Sequence, residues 1–148
     1  MGFQHSLILT DNGVFGCGKA DSYQIQPYRY HHYRDVITVD KIEKPELVWG
    51  RSKVVKAACG YKHSIFLTDK GQLYALGLNN YGQCGHDYTK YPSIQKVTEV
   101  FFPYREGEQI TDIQCGSYHT LILTNLAAYF MGSIKNNQNP FLRNTFIT

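Results

Sequence analysis

The sequence predicts an all-β protein, and three observations support this prediction. Aromatic side chains are frequent, with 12 Tyr, 8 Phe and 1 Trp among 148 residues, and such residues favour strands over helices. Short apolar runs alternate with turns that contain Gly, Asp or Asn, as they do in hairpins. One ten-residue pattern occurs three times, at 1–10, 59–68 and 115–124. The chain is therefore expected to consist of repeated β-units.

The repeated pattern places a histidine at the start of an apolar run. His5, His63 and His119 lie 58 and 56 residues apart, and each precedes Ser or Thr, three apolar residues and a Thr. Asp-Asn-Gly and Asp-Lys-Gly follow in the first two copies, which indicates hairpin turns because Gly accepts a positive φ. In the third copy Ala127 takes the place of that Gly, so a different turn geometry is expected there.

Each period holds about four short strands. The run after the histidine and the run after the turn form a hairpin, and a polar loop then leads to a third and a fourth apolar run. Four antiparallel strands per period are typical of a β-propeller blade. We therefore predict one propeller segment over 1–148, incomplete in this chain, with blades of four antiparallel strands and approximate repeats at 1–53, 54–109 and 110–148.

The ordered motifs resemble one known repeat. G-x-x-H-[ST]-x-x-L-T, D-x-G, L-Y-x-x-G and N-x-x-G-Q-x-G follow one another from 59 to 85, and parts of the same series occur at 2–18 and 115–132. This series resembles the repeat of the regulator of chromosome condensation family, which implies a β-propeller, usually a seven-bladed one. The residues that we interpret as structural parts of the motif are Gly2, His5, Gly60, His63, Gly77, Gly82, Gln83, Gly85, Gly116 and His119.

The chain supplies only about two and a half such repeats. Repeat units bury their faces against neighbouring units, so we expect open apolar faces that need a partner. Three explanations remain open: a fragment of a larger chain, a split propeller completed by another polypeptide, or an incomplete arc held by a partner. Met1 lies directly before the motif Gly2, which favours a truncated product or an incomplete gene model.

The motif histidines allow two interpretations. They could form a ring near the propeller axis that contacts a ligand or acts in acid–base chemistry. Alternatively, each ring bonds a backbone carbonyl or a loop near the start of its own strand. Packing residues keep the symmetry of a repeat while site residues break it, so the structural interpretation is preferred. The four cysteines lack C-x-x-C spacing, so they predict small packed residues and no metal site.

One basic and aromatic stretch breaks the repeat symmetry. Residues 28–34 read Y-R-Y-H-H-Y-R, a composition found both in platforms for single-stranded nucleic acid and in interface hot spots. A solvated loop whose tyrosines lie on the sheet is the alternative. Nucleic acid or chromatin binding would show as a steep dependence on salt. The candidate partner-binding residues are Arg29, Tyr30, His31, His32, Tyr33 and Arg34.

The sequence favours a protein-interaction function. No nucleophile–base pair and no phosphate-binding loop is visible, so we predict neither an enzyme nor a cofactor. No run of about 18 apolar residues and no signal peptide is visible, so we predict an intracellular protein without membrane insertion. The resemblance implies a structural or protein-binding module, completed by or docked on other chains of a larger assembly. It also implies, as the alternative, a guanine-nucleotide exchange regulator of a Ran-like small GTPase.

Overall fold

Three antiparallel β-sheets follow one another along the chain in the computed structural model, which describes residues 1–11, 13–18, 40–41, 53–133 and 145–147. The first sheet contains β1 (His5–Thr10), β2 (Gly13–Gly18) and β3 (Asp40–Lys41). The middle sheet contains β4 (Val54–Cys59), β5 (His63–Thr68), β6 (Leu73–Leu78) and β7 (Ser93–Val100). The third sheet contains β8 (Ile110–Cys115), β9 (His119–Thr124), β10 (Ala128–Gly132) and β11 (Thr145–Ile147).

The prediction of an all-β fold with four-stranded antiparallel blades is confirmed. The middle and third sheets have the orders β4-β5-β6-β7 and β11-β10-β9-β8, so each strand pairs with the strand that follows it in the chain. The first sheet has the order β1-β2-β3 and, within the described residues, lacks a counterpart of β4 and β8. The predicted strand at 35–39 lies outside the described residues, and β3 begins directly after it.

The same register relates the three hairpins that carry the motif. The strand pairs place His5 opposite Gly18, His63 opposite Gly77 and His119 opposite Gly132. These glycines have φ values between 106° and 112°, which an L side chain rarely adopts. A Cβ atom at Gly132 would also overlap the backbone carbonyl oxygen of Tyr118. The glycine opposite the motif histidine is therefore required at Gly18 and Gly132 by the close approach of the hairpin partner, and at all three positions by its positive φ.

In the third turn, where Ala127 takes the place of the glycine, a side-chain hydroxyl binds the backbone. The backbone N–H groups of Leu126 and Ala127 donate to Thr124 Oγ1 over 3.1 and 2.9 Å. The backbone N–H of Thr124 donates to the Ala127 carbonyl over 2.8 Å. The third turn therefore differs in geometry from the first two, as expected from the sequence.

Two apolar clusters join the sheets. Because successive side chains of a strand face opposite sides of its sheet, β5 contributes to both clusters, and all six of its residues are buried. One cluster lies between the first and middle sheets and includes Val14, Phe66, Tyr74, Leu76 and Val97. The other lies between the middle and third sheets and includes Ile65, Leu67, Leu73, Ala75, Ile110, Ile113, Ile122, Tyr129 and Met131.

Candidate protein-interaction site

The motif histidines link one sheet to the next. His5 Nε2 lies 2.9 Å from Ser64 Oγ, and His63 Nε2 lies 3.0 Å from Thr120 Oγ1. In both cases the hydroxyl belongs to the residue that follows the next motif histidine. We call this contact the His–hydroxyl joint. His5 and His63 are both buried, so each joint lies between two sheets and is shielded from solvent.

The His–hydroxyl joint differs from the contact predicted from the sequence, in which each histidine bonds a group near the start of its own strand. The histidine and the following Ser or Thr face opposite sides of the strand, because side-chain direction alternates along it. The histidine therefore points at the following sheet, while the hydroxyl points back at the preceding one. The sequence interpretation named a backbone carbonyl or loop near the same strand, and the side-chain partner on the neighbouring sheet was missed.

Hydrogen bonding around Thr120 defines the tautomer of His63. The Thr120 hydroxyl donates its single proton to the Gln83 carbonyl over 2.8 Å, so the Nε2–H of His63 must be the donor in the joint. His63 Nδ1 is then unprotonated, and it is buried without a hydrogen-bond partner among the described residues. A Cβ atom at Gly60 would overlap this ring, which explains why the residue three positions before the histidine is glycine.

Burial keeps the two linked histidines neutral. Desolvation lowers the pKa of His5 to about 4 and the pKa of His63 to about 3, because the interior disfavours the charged imidazolium. A general acid or base at neutral pH needs a pKa near that pH and access to a substrate. Neither His5 nor His63 has these properties, which favours the structural interpretation of the motif.

His119 lacks the joint that its two counterparts make. Its ring lies against Phe130, with the centroids 5.2 Å apart and an angle of 26° between the planes. Within the part of the chain that the structure describes, no hydroxyl bonds either of its ring nitrogens. A Cβ atom at Gly116 would overlap the His119 ring, so this ring packs against its motif glycine in the same way as the His63 ring packs against Gly60. It lies on the face of the third sheet that points away from the middle sheet.

The polar loop of the middle copy attaches to both the middle and the third sheet. Gln83 is buried, and its Oε1 accepts from the backbone N–H of Tyr81 over 2.9 Å. Asn79 Oδ1 accepts from the backbone N–H of Cys84 over 2.9 Å. Gly82 and Gly85 have φ values of 80° and 74°. These contacts and the Thr120–Gln83 bond support the structural interpretation of the loop residues.

Four aromatic side chains form a continuous row at the end of the sheets where the motif strands begin. The ring centroids of Phe3 and Tyr61 lie 4.6 Å apart, those of Tyr61 and Tyr118 5.6 Å apart, and those of Tyr118 and Tyr81 5.3 Å apart. We call Phe3, Tyr61, Tyr118 and Tyr81 the aromatic row. Phe3 is 70% exposed, and Lys62 Nζ lies 5.8 Å from the centre of the Tyr61 ring. The row crosses all three sheets.

Backbone contacts hold the aromatic row in place. The N–H of Phe3 donates to the Gly60 carbonyl over 3.3 Å, and the N–H of Tyr61 donates to the Ser117 carbonyl over 3.1 Å. This surface was not predicted from the sequence. The signal that could have revealed it is the aromatic residue after the motif glycine, in Gly2-Phe3 and Gly60-Tyr61.

The basic and aromatic stretch predicted as a partner-binding patch, Arg29 to Arg34, lies outside the described residues. In the described residues, Lys56 forms an ion pair with Asp112 over 3.2 Å and also donates to the Thr111 carbonyl over 2.8 Å. This lysine links the middle sheet to the third sheet, and its charge is offset by a carboxylate.

The cysteines and acidic residues offer no reactive or metal-binding cluster within the described residues. Burial raises the pKa of Cys115 to about 12, so the group is a neutral thiol, which is a poor nucleophile and metal ligand. Cys84 is buried with its Sγ 3.3 Å from the Leu78 carbonyl oxygen. No group of three His, Cys, Asp or Glu residues there could hold a metal ion. The same residues contain no helix with the length and apolar character needed to cross a membrane.

Comparison with known proteins identifies the repeat. Two family models, both described as the regulator of chromosome condensation (RCC1) repeat, match residues 54–83 and 70–123. The human E3 ubiquitin-protein ligase HERC2 is 35% identical over 84% of this chain, and the chain spans 2% of HERC2. The human RCC1-like G exchanging factor-like protein is 31% identical over 50% of this chain, which spans 16% of that protein.

Solved structures show the same fold. Human WBSCR16 superposes with a TM-score of 0.79 at 23% identity, over 99% of this chain and 38% of that one. Yeast RCC1 (Prp20), solved with bound Kap60, superposes with a TM-score of 0.76 at 26% identity, over 90% of this chain and 29% of that one.

The matches concern a part of each relative. The chain spans far less than two thirds of the relatives and structures that it matches. HERC2 is a ubiquitin-protein ligase by name, and the match covers only a small part of it. With its repeated motif, antiparallel four-stranded sheets and matching relatives, this chain belongs to the regulator of chromosome condensation (RCC1) repeat family and forms part of a β-propeller.

Proposed function

We propose that this chain is a protein-interaction module that binds a protein partner through the aromatic row. The single observation that carries this proposal is the row itself, in which Phe3, Tyr61, Tyr118 and Tyr81 contact one another across three sheets. Tyrosine and other aromatic residues are enriched in protein interfaces and in their hot spots. Membership of the RCC1 repeat family supports a protein-interaction module at this general level.

The surroundings of the row support a rigid binding surface. The rings are attached to strand ends by backbone hydrogen bonds between sheets, so a partner would bind without ordering a loop first, and such pre-organisation improves affinity. The structure of yeast RCC1 with bound Kap60 supports a protein as the class of partner.

A binding measurement with two purified probes tests this proposal. The immobilised chain is exposed to core histones and to a Ran-type small GTPase, and the Phe3→Ala/Tyr61→Ala variant is compared with wild type. We expect the double variant to lose at least about tenfold in affinity for the probe that binds, as hot-spot aromatic residues do. Phe101→Ala is the matched control, since Phe101 is 82% exposed and lies beside the hairpin turn at Gly71, away from the row. Equal binding by wild type and double variant, or no binding of either probe, would overturn the proposal.

Exchange of guanine nucleotide on a small GTPase is the second candidate function. It is favoured by the human relative named RCC1-like G exchanging factor-like protein. Such an activity would raise the rate at which a Ran-type GTPase releases a fluorescent nucleotide, with the chain present at a small fraction of the GTPase concentration. If the same preparation binds the GTPase but the nucleotide is released at the intrinsic rate, the chain binds the GTPase without catalysing exchange.

Open faces at both ends support completion of the propeller by further blades. Ile8 on the first sheet is 43% exposed, whereas Phe66, its counterpart on the middle sheet, is fully buried. Leu123 on the third sheet is 44% exposed, whereas its counterpart Leu67 is 4% exposed. An unpartnered apolar sheet face costs free energy in water. We propose further that blades of the same repeat type cover these two faces.

A further inference from the structure

Tyr81 differs from the other rings of the aromatic row in the kind of segment that carries it. Phe3, Tyr61 and Tyr118 each lie between a motif glycine and its histidine, whereas Tyr81 belongs to the polar loop between β6 and β7. Its ring meets Tyr118 edge-on, with the centroids 5.3 Å apart and an angle of 70° between the planes. Loops are more mobile than the elements they connect, so the position of this ring depends on what restrains the loop.

The side chain of Gln83 supplies such a restraint. It is 1% exposed, and its Oε1 accepts from the backbone N–H of Tyr81 over 2.9 Å. Its Nε2 donates to Asn80 Oδ1 over 3.1 Å. Both ends of the amide are therefore used, and its orientation is fixed because only the oxygen can accept from an N–H. Gly82, between Tyr81 and Gln83, has a φ of 80°, a turn conformation that brings Gln83 back toward Tyr81.

The same glutamine is attached to the sheet that carries Tyr118. The Gln83 carbonyl accepts from the Thr120 hydroxyl over 2.8 Å, and Thr120 lies two residues after Tyr118. A Cβ atom at Gly132 would lie 3.2 Å from the Gln83 Cβ atom, so Gln83 packs closely against the third sheet. Gln83 thus contacts the segments of both rings, the loop through its side chain and the third sheet through its backbone.

We propose that Gln83 is a positioning residue of the aromatic row, which holds the Tyr81 ring against Tyr118 and thereby raises the affinity of the row for its protein partner. This inference rests on the proposed function of the row as a binding surface, and it adds a buried residue that the partner does not touch. A surface whose rings are already in place loses less conformational entropy on binding. Releasing Tyr81 should therefore weaken the complex even when the ring itself is still present.

A double-mutant cycle between Gln83 and Tyr81 tests this inference, with core histones and a Ran-type small GTPase as the probes. Gln83→Met keeps an unbranched side chain of similar length but offers no oxygen to the Tyr81 N–H. We expect it to weaken binding by about fivefold, as the loss of one neutral hydrogen bond does, and Tyr81→Ala to weaken it by about tenfold. Since Gln83 acts through Tyr81, adding Gln83→Met to Tyr81→Ala should change the affinity by less than about twofold.

Ile110→Val is the matched control for a general loss of stability. Ile110 is buried in the cluster between the middle and third sheets, and it pairs with Thr124 beside the hairpin turn, at the end of the sheets opposite to the aromatic row. Removing one buried methyl group destabilises the chain modestly and leaves the row in place, so this variant should bind the probe like wild type. A loss of affinity equal to that of Gln83→Met would trace both effects to stability and overturn the inference.

Nuclear Overhauser contacts between the ring protons of Tyr81 and Tyr118 give a second readout that needs no partner. We expect these contacts in wild type and in Ile110→Val, and we expect Gln83→Met to lose them while its other sheet contacts persist. Retained ring contacts in Gln83→Met, or the same loss of affinity with and without the Tyr81 ring, would overturn the inference. Wild type that binds neither probe would reject the proposed function, and the ring contacts would still decide whether Gln83 positions Tyr81.

Discussion

The middle and third sheets contain nearly the same motif strand in two different environments. β5 reads HSIFLT and is buried at every residue, whereas β9 reads HTLILT and alternates between buried and more exposed residues. Within the described residues, the difference arises because the middle sheet has a neighbouring sheet on each face and the third sheet has one on a single face. The repeat pattern therefore specifies which side chains share a face, while the neighbouring sheet determines what their burial contributes to stability.

The largest expected effect comes from truncating one leucine in each environment. Leu67→Ala should reduce the free energy of unfolding by about 2–5 kcal/mol, because it leaves a cavity in a packed cluster. Leu123→Ala should change it by less than about 1 kcal/mol, because the side chain is 44% exposed. Urea unfolding at a concentration where the chain is monomeric measures both values. Equal losses would show that the third sheet is covered as fully as the middle one.

Adding one methyl group at two glycines compares a crowded position with an open turn. Gly60→Ala should destabilise by about 1–3 kcal/mol, because the new Cβ would overlap the His63 ring and force the joint apart. Gly71→Ala should cost about 1 kcal/mol, since its φ is 76° but no atom lies within 4 Å of the added Cβ. Thermal unfolding of both variants gives the comparison. A smaller loss of stability for Gly60→Ala than for Gly71→Ala would contradict the tight packing of the His63 ring against Gly60.

The buried histidines should make stability depend on pH. Their pKa values are lowered to about 4 and 3 in the folded chain and are about 6.5 when unfolded. The unfolded chain therefore binds more protons between these values, and stability is fully present above pH 6.5 and falls as the pH drops toward 4. The slope should reach about 1.4 kcal/mol per pH unit for each histidine.

Replacing one of the two linked histidines measures its contribution to the pH dependence of the unfolding free energy. His63→Gln should flatten the rise of the unfolding free energy between pH 4 and 6.5, while Lys90→Gln on the exposed surface should leave it unchanged. Urea titrations across this pH range measure both slopes. An unchanged slope in His63→Gln would mean that this ring is protonated in the folded chain, contrary to its buried position.

The smallest effect is expected from the ion pair between the middle and third sheets. Lys56 and Asp112 are both well exposed, so Lys56→Ala should cost less than about 1 kcal/mol, and the cost should shrink as salt screens the pair. Unfolding measured at low and high salt tests this. A loss above about 2 kcal/mol that is independent of salt would indicate that this contact is part of the buried interface.

Much of the fold could be predicted from local sequence because its signals are local. The alternation of apolar residues, the Asp-x-Gly turns and the three spaced histidines identified the strands, the hairpins and the propeller blades, as confirmed for the described residues. Cys84 is buried, as expected for a small packed residue, whereas Cys17, Cys59 and Cys115 are partly exposed. The interaction patch at 28–34 stays a prediction, because those residues are not among those described.

The candidate site was harder to predict because its members are far apart in the chain. His63 and Thr120 are 57 residues apart, and Phe3 and Tyr61 are similarly distant, so no local pattern pairs them. The sequence could show that an aromatic residue follows the motif glycine twice. It could not show that these rings contact one another, because that contact depends on how the sheets stack.

Local sequence specifies the repeating unit of this protein: Gly-x-x-His at the start of one strand, a tight turn, and a second strand with a glycine opposite the histidine. Hydrogen bonds between adjacent strands and the allowed φ of glycine are properties of neighbouring residues, so a short stretch specifies them. The packing of neighbouring sheets determines which histidines are buried and hydrogen-bonded, which leucines are buried, and which aromatic rings form a surface. Those properties depend on the sheet that packs alongside each strand, and Ile8, Leu121 and Leu123 stay partly exposed on the outer faces.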